Sequence, residues 1–301
     1  MLKRFWRVVT QAALKWWNDN ALRLSAALSY YTLFSLAPLL IVVIAVAGFV
    51  FGAEAVQRTV LAQIQGLVGE QSAAAIRGML ESARQPITGS LAAGISLIVT
   101  VILATGVFTE LQDALNTIWR IKSSAQGWWA TVRDRFFSFM LVIGIGFLLV
   151  VSLFMSAAVA ALGRFLTHLL PGPEFFLQLV DGAISFVIFT LFFAMMFKVL
   201  PNAHIAWRDV WIGAAATTVL FTVGKFGIGL YLGKSGVASA YGAASSLAVI
   251  LLWVYYSALI FFFGAEFTYV YANEYGSRIR PAAEREQTPG PRHTSLPPQP
   301  A

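Results

Sequence analysis

Residues 33–52 carry the sequence LFSLAPLLIVVIAVAGFVFG, in which no side chain is charged. A helix that crosses the hydrocarbon core of a bilayer needs about 20 mostly apolar residues. Five further blocks of the same kind lie near residues 90–110, 136–161, 179–199, 210–232 and 245–271. Polar or turn-forming residues separate the blocks, so the sequence predicts six transmembrane helices between residues 33 and 271.

The overall composition also indicates a membrane protein. Hydrophobic residues make up 58% of the chain and charged residues only 12%, about half the charged fraction of a typical soluble protein. Cysteine is absent, which excludes disulfides, thiolate nucleophiles and zinc-thiolate sites. The first 30 residues are too polar to resemble a cleavable signal peptide. We therefore predict an all-α polytopic membrane protein.

The basic residues are distributed unevenly between the two sides of the predicted bundle. Fifteen of the 21 Lys and Arg residues fall in the N-terminal segment, the second and fourth connections and the C-terminal segment. Only five fall in the other three connections, and Lys225 lies within a span. Cytoplasmic segments carry the excess of Lys and Arg. The pattern predicts a bacterial inner-membrane protein with both termini in the cytoplasm.

Segments outside the spans have patterns of their own. Residues 1–32 predict an amphipathic helix at the membrane interface, with a helix packed on the bundle as the alternative. Residues 53–89 predict a helical periplasmic cap that could dock a periplasmic or other envelope protein. The C-terminal segment 272–301 is expected to be cytoplasmic, and its many prolines predict disorder from about residue 281. Pro38 is expected to break, kink or start the first span.

Four of the charged residues inside or at the edge of predicted spans are candidates for a functional site: Lys225, Asp181, Glu266 and Glu110. Charged groups are costly in hydrocarbon and usually mark a substrate or ion pathway, although structural pairing and snorkelling to the interface are the alternatives. Lys225 is predicted to lie in the outer half of the fifth span. There it would either pair with Asp181 or contact an anionic substrate headgroup.

Hydroxyl-bearing residues lead into Pro38, before and at the start of the first apolar block. Five of them are candidates for the polar lining of a cavity: Ser25, Ser29, Tyr30, Thr32 and Ser35. The alternative is that they form hydrogen bonds between packed helices.

Seven short motifs occur in a fixed order along the chain. They are ALSYYTLFSLAP at 27–38, LQDALNTIW at 111–119, LPNA at 200–203, WRDVWIGA at 207–214, YGA at 241–243, LLWVYY at 251–256 and GAEF at 264–267. Together they resemble the YihY/BrkB family of bacterial inner-membrane proteins over roughly residues 5–278. The resemblance implies six membrane helices. Family members have been labelled ribonuclease BN or virulence factors, and a part in lipid movement has been proposed for them.

The residues themselves do not support an enzyme. The three histidines, His168, His204 and His293, fall in separate segments, and no paired-acid or phosphate-binding motif is present. We expect no catalytic residue, metal, cofactor or nucleic-acid partner. The favoured function is a transporter or lipid-handling protein for an amphiphilic substrate, with membrane lipids as partners. An envelope scaffold and a channel or exporter for a small solute are the alternatives, and homo-oligomerisation is left open.

Overall fold

The structure, a computed structural model, describes residues 2–83, 90–121, 144, 174–234 and 244–281. These residues form eight long helices and two short strands. The helices are α1 (Leu2–Asn18), α2 (Ala21–Phe51), α3 (Ala53–Val68), α4 (Glu70–Ala83), α5 (Ser90–Ile118), α6 (Glu174–Val199), α7 (Trp207–Lys234) and α8 (Ser245–Glu274). The strands are β1 (Ala203–His204) and β2 (Arg280–Pro281).

Four of the described helices contain segments long and apolar enough to cross a membrane. The segments are Ala21–Phe49 in α2, Gly182–Val199 in α6, Trp207–Leu232 in α7 and Ser245–Glu274 in α8. The predicted second span, 90–110, lies within helix α5. The predicted third span, 136–161, lies outside the described residues except for Gly144. The fold class is therefore all-α with several membrane-spanning candidates.

The N-terminal region differs from the prediction of one helix over residues 1–32. Helix α1 ends at Asn18, and Asn20 adopts a left-handed backbone conformation with φ of 55°. Helix α2 then runs for 31 residues and includes Pro38. Pro38 therefore neither starts nor breaks the helix. A proline removes one backbone hydrogen bond, and the many remaining bonds of so long a helix keep it continuous.

The connection after α2 consists of two helices joined through glycines. Gly52 precedes α3 and Gly69 separates α3 from α4, with φ of 85° and 84°. Glycine tolerates this backbone region at no steric cost. Val60 and Leu80 are buried in a cluster that also contains Ile44 of α2. Residues 53–83 of the connection are thus almost entirely helical and pack on the first span.

Helix α8 lies at the centre of the described structure. It contacts α7 and α2 most extensively and also packs against α1, α4 and α5. The main core contains buried aromatic side chains from α6, α7 and α8. The ring centroids of Phe197 and Phe261 are 5.1 Å apart, and those of Phe193 and Phe221 are 5.6 Å apart. An aromatic layer therefore fills the space between these three helices.

Helices α7 and α8 approach closely at two reciprocal positions. A Cβ atom added at Gly213 would collide with Thr268, and one added at Gly264 would collide with Thr217. Each threonine hydroxyl donates a hydrogen bond to the carbonyl of the glycine four residues earlier in its own helix, at 2.8 Å for Thr217 and 2.7 Å for Thr268. Small residues at such contacts let two helix backbones approach.

The segment after α8 is held against the start of α7. Strands β1 and β2 pair antiparallel, with Ala203 opposite Pro281 and His204 opposite Arg280. The C-terminal segment predicted to start at residue 272 therefore begins inside a helix, and its first residues fold back on the bundle. Residues 282–301, for which disorder was predicted, lie outside the described residues.

Candidate functional site

Glu266 lies on the face of α8 that is buried in the bundle. Its side chain has no exposed surface. Neither carboxyl oxygen has a hydrogen-bond donor within the described part of the chain. Burying a carboxylate without donors is costly, so its surroundings must compensate the charge or remove it.

A second carboxyl group lies against Glu266. Asp19 occupies the junction between α1 and α2, and its carboxyl group is the acidic neighbour that acts on Glu266. The left-handed conformation of Asn20 sets the direction of the chain at this junction. Asp19 Oδ2 is buried and, among the described residues, also lacks a donor. We refer to Asp19 and Glu266 as the carboxyl pair.

Arg120 partly neutralises the carboxyl pair from the end of α5. Its Nη2 atom lies 3.7 Å from Asp19 Oδ1. Arg120 has a left-handed backbone conformation with φ of 56°, which costs a non-glycine residue about 1–2 kcal/mol. The Ile121 N–H donates to the Asn116 carbonyl at 2.9 Å, as in a helix terminus that normally has glycine at this position.

Lys15 supplies the second positive charge near the pair. It acts electrostatically on Glu266 together with Arg120. Its Nζ atom lies 4.8 Å from the centre of the Tyr269 ring, one turn after Glu266 on α8. Lys15, Asp19, Arg120 and Glu266 therefore form a compact charged group where α1, α5 and α8 meet.

Two tryptophans, one from α1 and one from the end of α5, donate to the backbone of α8 just before Glu266. The indole Nε1–H of Trp119 donates to the Ala265 carbonyl at 3.2 Å. That of Trp16 donates to the Leu259 carbonyl at 3.1 Å. Each of these carbonyls also lies within a helix, so the tryptophans add a second donor to an existing bond. The position of Glu266 is thus set by contacts from both α1 and the α5 terminus.

Comparison with known proteins identifies the family. A sequence profile described as "Virulence factor BrkB" matches residues 12–289. The chain belongs to the BrkB family. It is 28% identical over 264 residues to a UPF0761 membrane protein of Pseudomonas aeruginosa. The matched region covers 82% of this chain and 58% of that relative. It is 28% identical over 278 residues to a UPF0761 membrane protein of Tolumonas auensis, covering 88% of this chain and 82% of the relative.

A UPF0761 membrane protein of Rhodospirillum centenum is 29% identical over 273 residues, covering 87% of this chain and 56% of the relative. The chain thus spans a little over half the length of several curated relatives that it matches. No solved structure matches it. Family membership and the apolar helices show that this BrkB-family chain is an integral membrane protein.

Several motif residues of this BrkB-family chain form hydrogen bonds between helix ends. The Asn202 N–H donates to Asn116 Oδ1 at 2.9 Å, and Gln112 Nε2 donates to Asn202 Oδ1 at 3.3 Å. Asp209 Oδ2 accepts hydrogen bonds from the Ser277 N–H and hydroxyl at 2.8 and 2.7 Å. The LQDALNTIW and LPNA motifs therefore join the ends of α5 and α6, and the WRDVWIGA motif joins the start of α7 to the segment after α8.

The other predicted charges are not part of this group. Glu110 is half-buried on α5, with Asp113 as its acidic neighbour, and burial raises the pKa of the Asp113 carboxyl above its ordinary value. Lys225 is half-buried on α7, with its Nζ 5.6 Å from the centre of the Phe226 ring. Asp181 lies on α6, but its side chain is outside the described residues. The predicted Lys225–Asp181 pair therefore stays a prediction.

The predicted polar lining divides into buried and exposed residues. Ser25, Ser29 and Ser35 are buried and Thr32 is half-buried. Ser29 and Thr32 donate to carbonyls of their own helix, Ala26 at 2.8 Å and Leu28 at 2.7 Å. Tyr30 is 60% exposed and packs on Phe34. Tyr30 does not line an interior cavity, because it lies on the opposite face of α2 from the buried serines.

Sequence reasoning singled out Glu266 but missed Asp19, Lys15 and Arg120 as its neighbours. All three lie outside the apolar blocks, where charged residues are common and do not indicate a functional site. One usable signal was the sequence Asn-Asp-Asn at 18–20, which interrupts the helical pattern with residues that favour helix ends and turns. In the described residues no group of three His, Asp or Glu side chains could hold a metal ion.

Proposed function

We propose that this protein handles or transports an amphiphilic, lipid-like substrate along the lateral surface of a six-helix bundle in the bacterial inner membrane. Both termini would lie in the cytoplasm, and the role would be non-enzymatic. The observation that carries the proposal is Lys225, a half-buried lysine inside the apolar segment of α7.

The surroundings of Lys225 suit an anionic headgroup with acyl chains. Val223, Phe226 and Leu230, which lie within five residues of Lys225 along α7, are strongly exposed. Lys225 lies seven residues before Leu232, the end of the apolar segment, or about 10 Å deep at 1.5 Å per residue. Within the described side chains, no carboxylate lies within salt-bridge distance of its ammonium group. An unpaired Lys inside a span costs about 3 kcal/mol on insertion scales, and a bound headgroup would reduce that cost.

Helix α1 supports contact with lipid on the cytoplasmic side. Its buried residues Val8 and Ala12 pack in a cluster with Phe267 and Val270 of α8. Its exposed large hydrophobic residues are Phe5, Trp6, Leu14 and Trp17. Tryptophan is enriched at the membrane interface. An interfacial α1 would therefore couple the headgroup layer to the central helix.

The test is lipid translocation by the full chain reconstituted in vesicles. The vesicles contain phosphatidylglycerol with a fluorescent acyl chain, and an impermeant reductant bleaches label in the outer leaflet only. Vesicles with the wild-type protein should lose clearly more than half of the signal. Lys225→Met should slow this loss about tenfold, as expected for removal of one contact worth about 1.4 kcal/mol. Lys225→Arg should retain most of the activity.

Lys3→Met is the matched control, because Lys3 is an exposed lysine on α1 outside the predicted spans. It should translocate lipid at the wild-type rate. Failure of the folded wild-type protein to move either anionic or zwitterionic lipid would contradict the transport proposal. Equal rates for Lys225→Met and the wild type would contradict the role of Lys225.

An envelope scaffold is the second candidate, and the α3–α4 unit favours it. A surface groove of about 320 Å³ between these helices is lined by Arg58, Gln65, Glu70 and Arg77, among others. Charged residues around a groove suit a polar partner on the periplasmic side. Photo-crosslinkers at residue 65 should then capture an envelope protein, whereas the same probe at exposed Arg4 of α1 should not. Capture only from residue 4 would contradict docking at α3–α4.

A further inference from the structure

We propose that Asp19 and Glu266 form a proton-binding site, in which the two carboxyl groups hold a single proton and one donates a hydrogen bond to the other. The ligand is the proton itself. The inference does not depend on the proposed transport function, and it assigns a role to a buried group that the lipid pathway does not use.

The first argument is the absence of any alternative donor. Both oxygens of Glu266 and one oxygen of Asp19 are buried, and no described residue donates to them. Two ionised carboxylates in contact would repel each other and leave three buried oxygens unpaired. One proton converts this arrangement into a donor–acceptor pair, as in other dyads of carboxyl groups that share a site.

The second argument is the charge balance around the pair. In the described part of the chain, the charged groups that act on Glu266 are Asp19 from the α1–α2 junction, Lys15 from α1 and Arg120 from the end of α5. Arg120 contacts Oδ1 of Asp19, whereas Oδ2 is the oxygen without a donor. The remaining negative charge of a singly protonated pair would therefore reside mainly on Asp19, with the proton mainly on Glu266.

The third argument is access to water from one side only. Glu266 is fully buried, whereas the side chain of Asp19 is 18% exposed and that of Arg120 is 57% exposed. A proton can therefore reach Glu266 through the partly exposed side chain of Asp19. The site would exchange protons with the same side of the membrane as the α1–α2 junction.

The test is infrared spectroscopy of the full chain in lipid nanodiscs. The wild-type protein should show a C=O stretching band of a buried protonated carboxyl group near neutral pH, and the band should disappear at alkaline pH. Glu266→Gln should remove the band, since a glutamine amide can donate to an ionised Asp19 as the protonated acid does. Glu54→Gln, which changes an exposed acid at the start of α3, should leave the band intact.

A second measurement follows the stability of the fold. Near neutral pH, the folded state still holds one proton on the carboxyl pair. In the unfolded chain the two separated carboxyl groups have already released their protons. Folding therefore takes up a proton, and stability should fall as the pH rises. The unfolding equilibrium constant should increase by up to about tenfold per pH unit in this range, as expected for one proton. Glu266→Gln should abolish this dependence. If that variant does not fold, Asp19→Asn serves, because its amide can donate to Glu266.

Three results would overturn the proposal. One is the absence of a protonated carboxyl band in the wild-type protein at neutral pH. Another is a band that persists in both Glu266→Gln and Asp19→Asn. The last is loss of the band when sodium replaces choline at constant ionic strength, which would identify the ligand as a metal cation.

Discussion

Two buried carboxyl groups in this protein have very different surroundings. Asp209 is nearly fully buried, and one of its oxygens accepts two hydrogen bonds from Ser277. Glu266 is completely buried and has no donor among the described residues. Hydrogen bonds to a charged group stabilise a protein by about 1.5–3 kcal/mol each. The carboxyl group of Asp209 therefore supports the fold, whereas that of Glu266 has no such support from hydrogen bonds.

The contact between α7 and α8 at Gly264, next to this site, can be tested by substitution. We expect Gly264→Ala to destabilise the protein by about 1–3 kcal/mol, a typical cost of overpacking. The added Cβ would collide with the Thr217 side chain. Thermal unfolding in detergent micelles measures the loss. Gly229→Ala is the matched control, since nothing lies within 4 Å of a Cβ at that position of α7.

The double variant Gly264→Ala/Thr217→Ala should recover much of the lost stability. The Thr217 hydroxyl bonds only to a carbonyl of its own helix among the described residues, so its removal leaves no interhelical partner unsatisfied. Equal melting temperatures for Gly264→Ala and Gly229→Ala would show that α7 and α8 do not touch at this position.

At the level of the helices, the sequence allowed several elements to be predicted because their apolar blocks are long. Helices α2, α6, α7 and α8 each contain one of these blocks. The break between α1 and α2 was not predicted, because no proline or glycine marks it and Asn20 alone changes the chain direction. Only one member of the carboxyl pair was predicted from the sequence. Glu266 was identified by its position in an apolar block, but its partner Asp19 comes from a distant junction that local patterns do not reveal.

The C-terminal segment separates into a part that the fold needs and a part that it does not. A chain ending after Pro281 keeps the β1–β2 pairing and the contact between Ser277 and Asp209. We expect it to insert and unfold like the full chain. A chain ending after Glu274 loses both contacts and leaves Asp209 buried without these donors. It should be less stable by about 1–3 kcal/mol.

Thermal unfolding of the two purified chains in the same detergent compares them, with the full chain as reference. Similar melting temperatures for all three would mean that the segment 275–281 contributes nothing to stability. A melting temperature for the chain ending at Pro281 as low as that for the chain ending at Glu274 would instead place an essential contact beyond residue 281.

For the whole molecule, the distribution of charge determines the orientation. The fifteen-to-five division of Lys and Arg between alternate connections predicts cytoplasmic termini. A reporter that is active only in the periplasm should therefore give no signal when fused after residue 281. The same reporter inserted at Gly69, between α3 and α4, should be active. The opposite pattern would invert the topology and place α1 on the outer surface.

The reciprocal contact of Gly213 with Thr268 and Gly264 with Thr217 also restricts how the protein can move. Glycine and threonine are four residues apart on each helix, so sliding one helix along the other by a single turn would place Thr217 against Thr268 in one direction. In the other direction it would place the two glycines together and lose both glycine–threonine contacts. We therefore expect α7 and α8 to move as one rigid body. Any alternation between conformations must come from displacement of the neighbouring helices α2, α5 and α6 relative to this body.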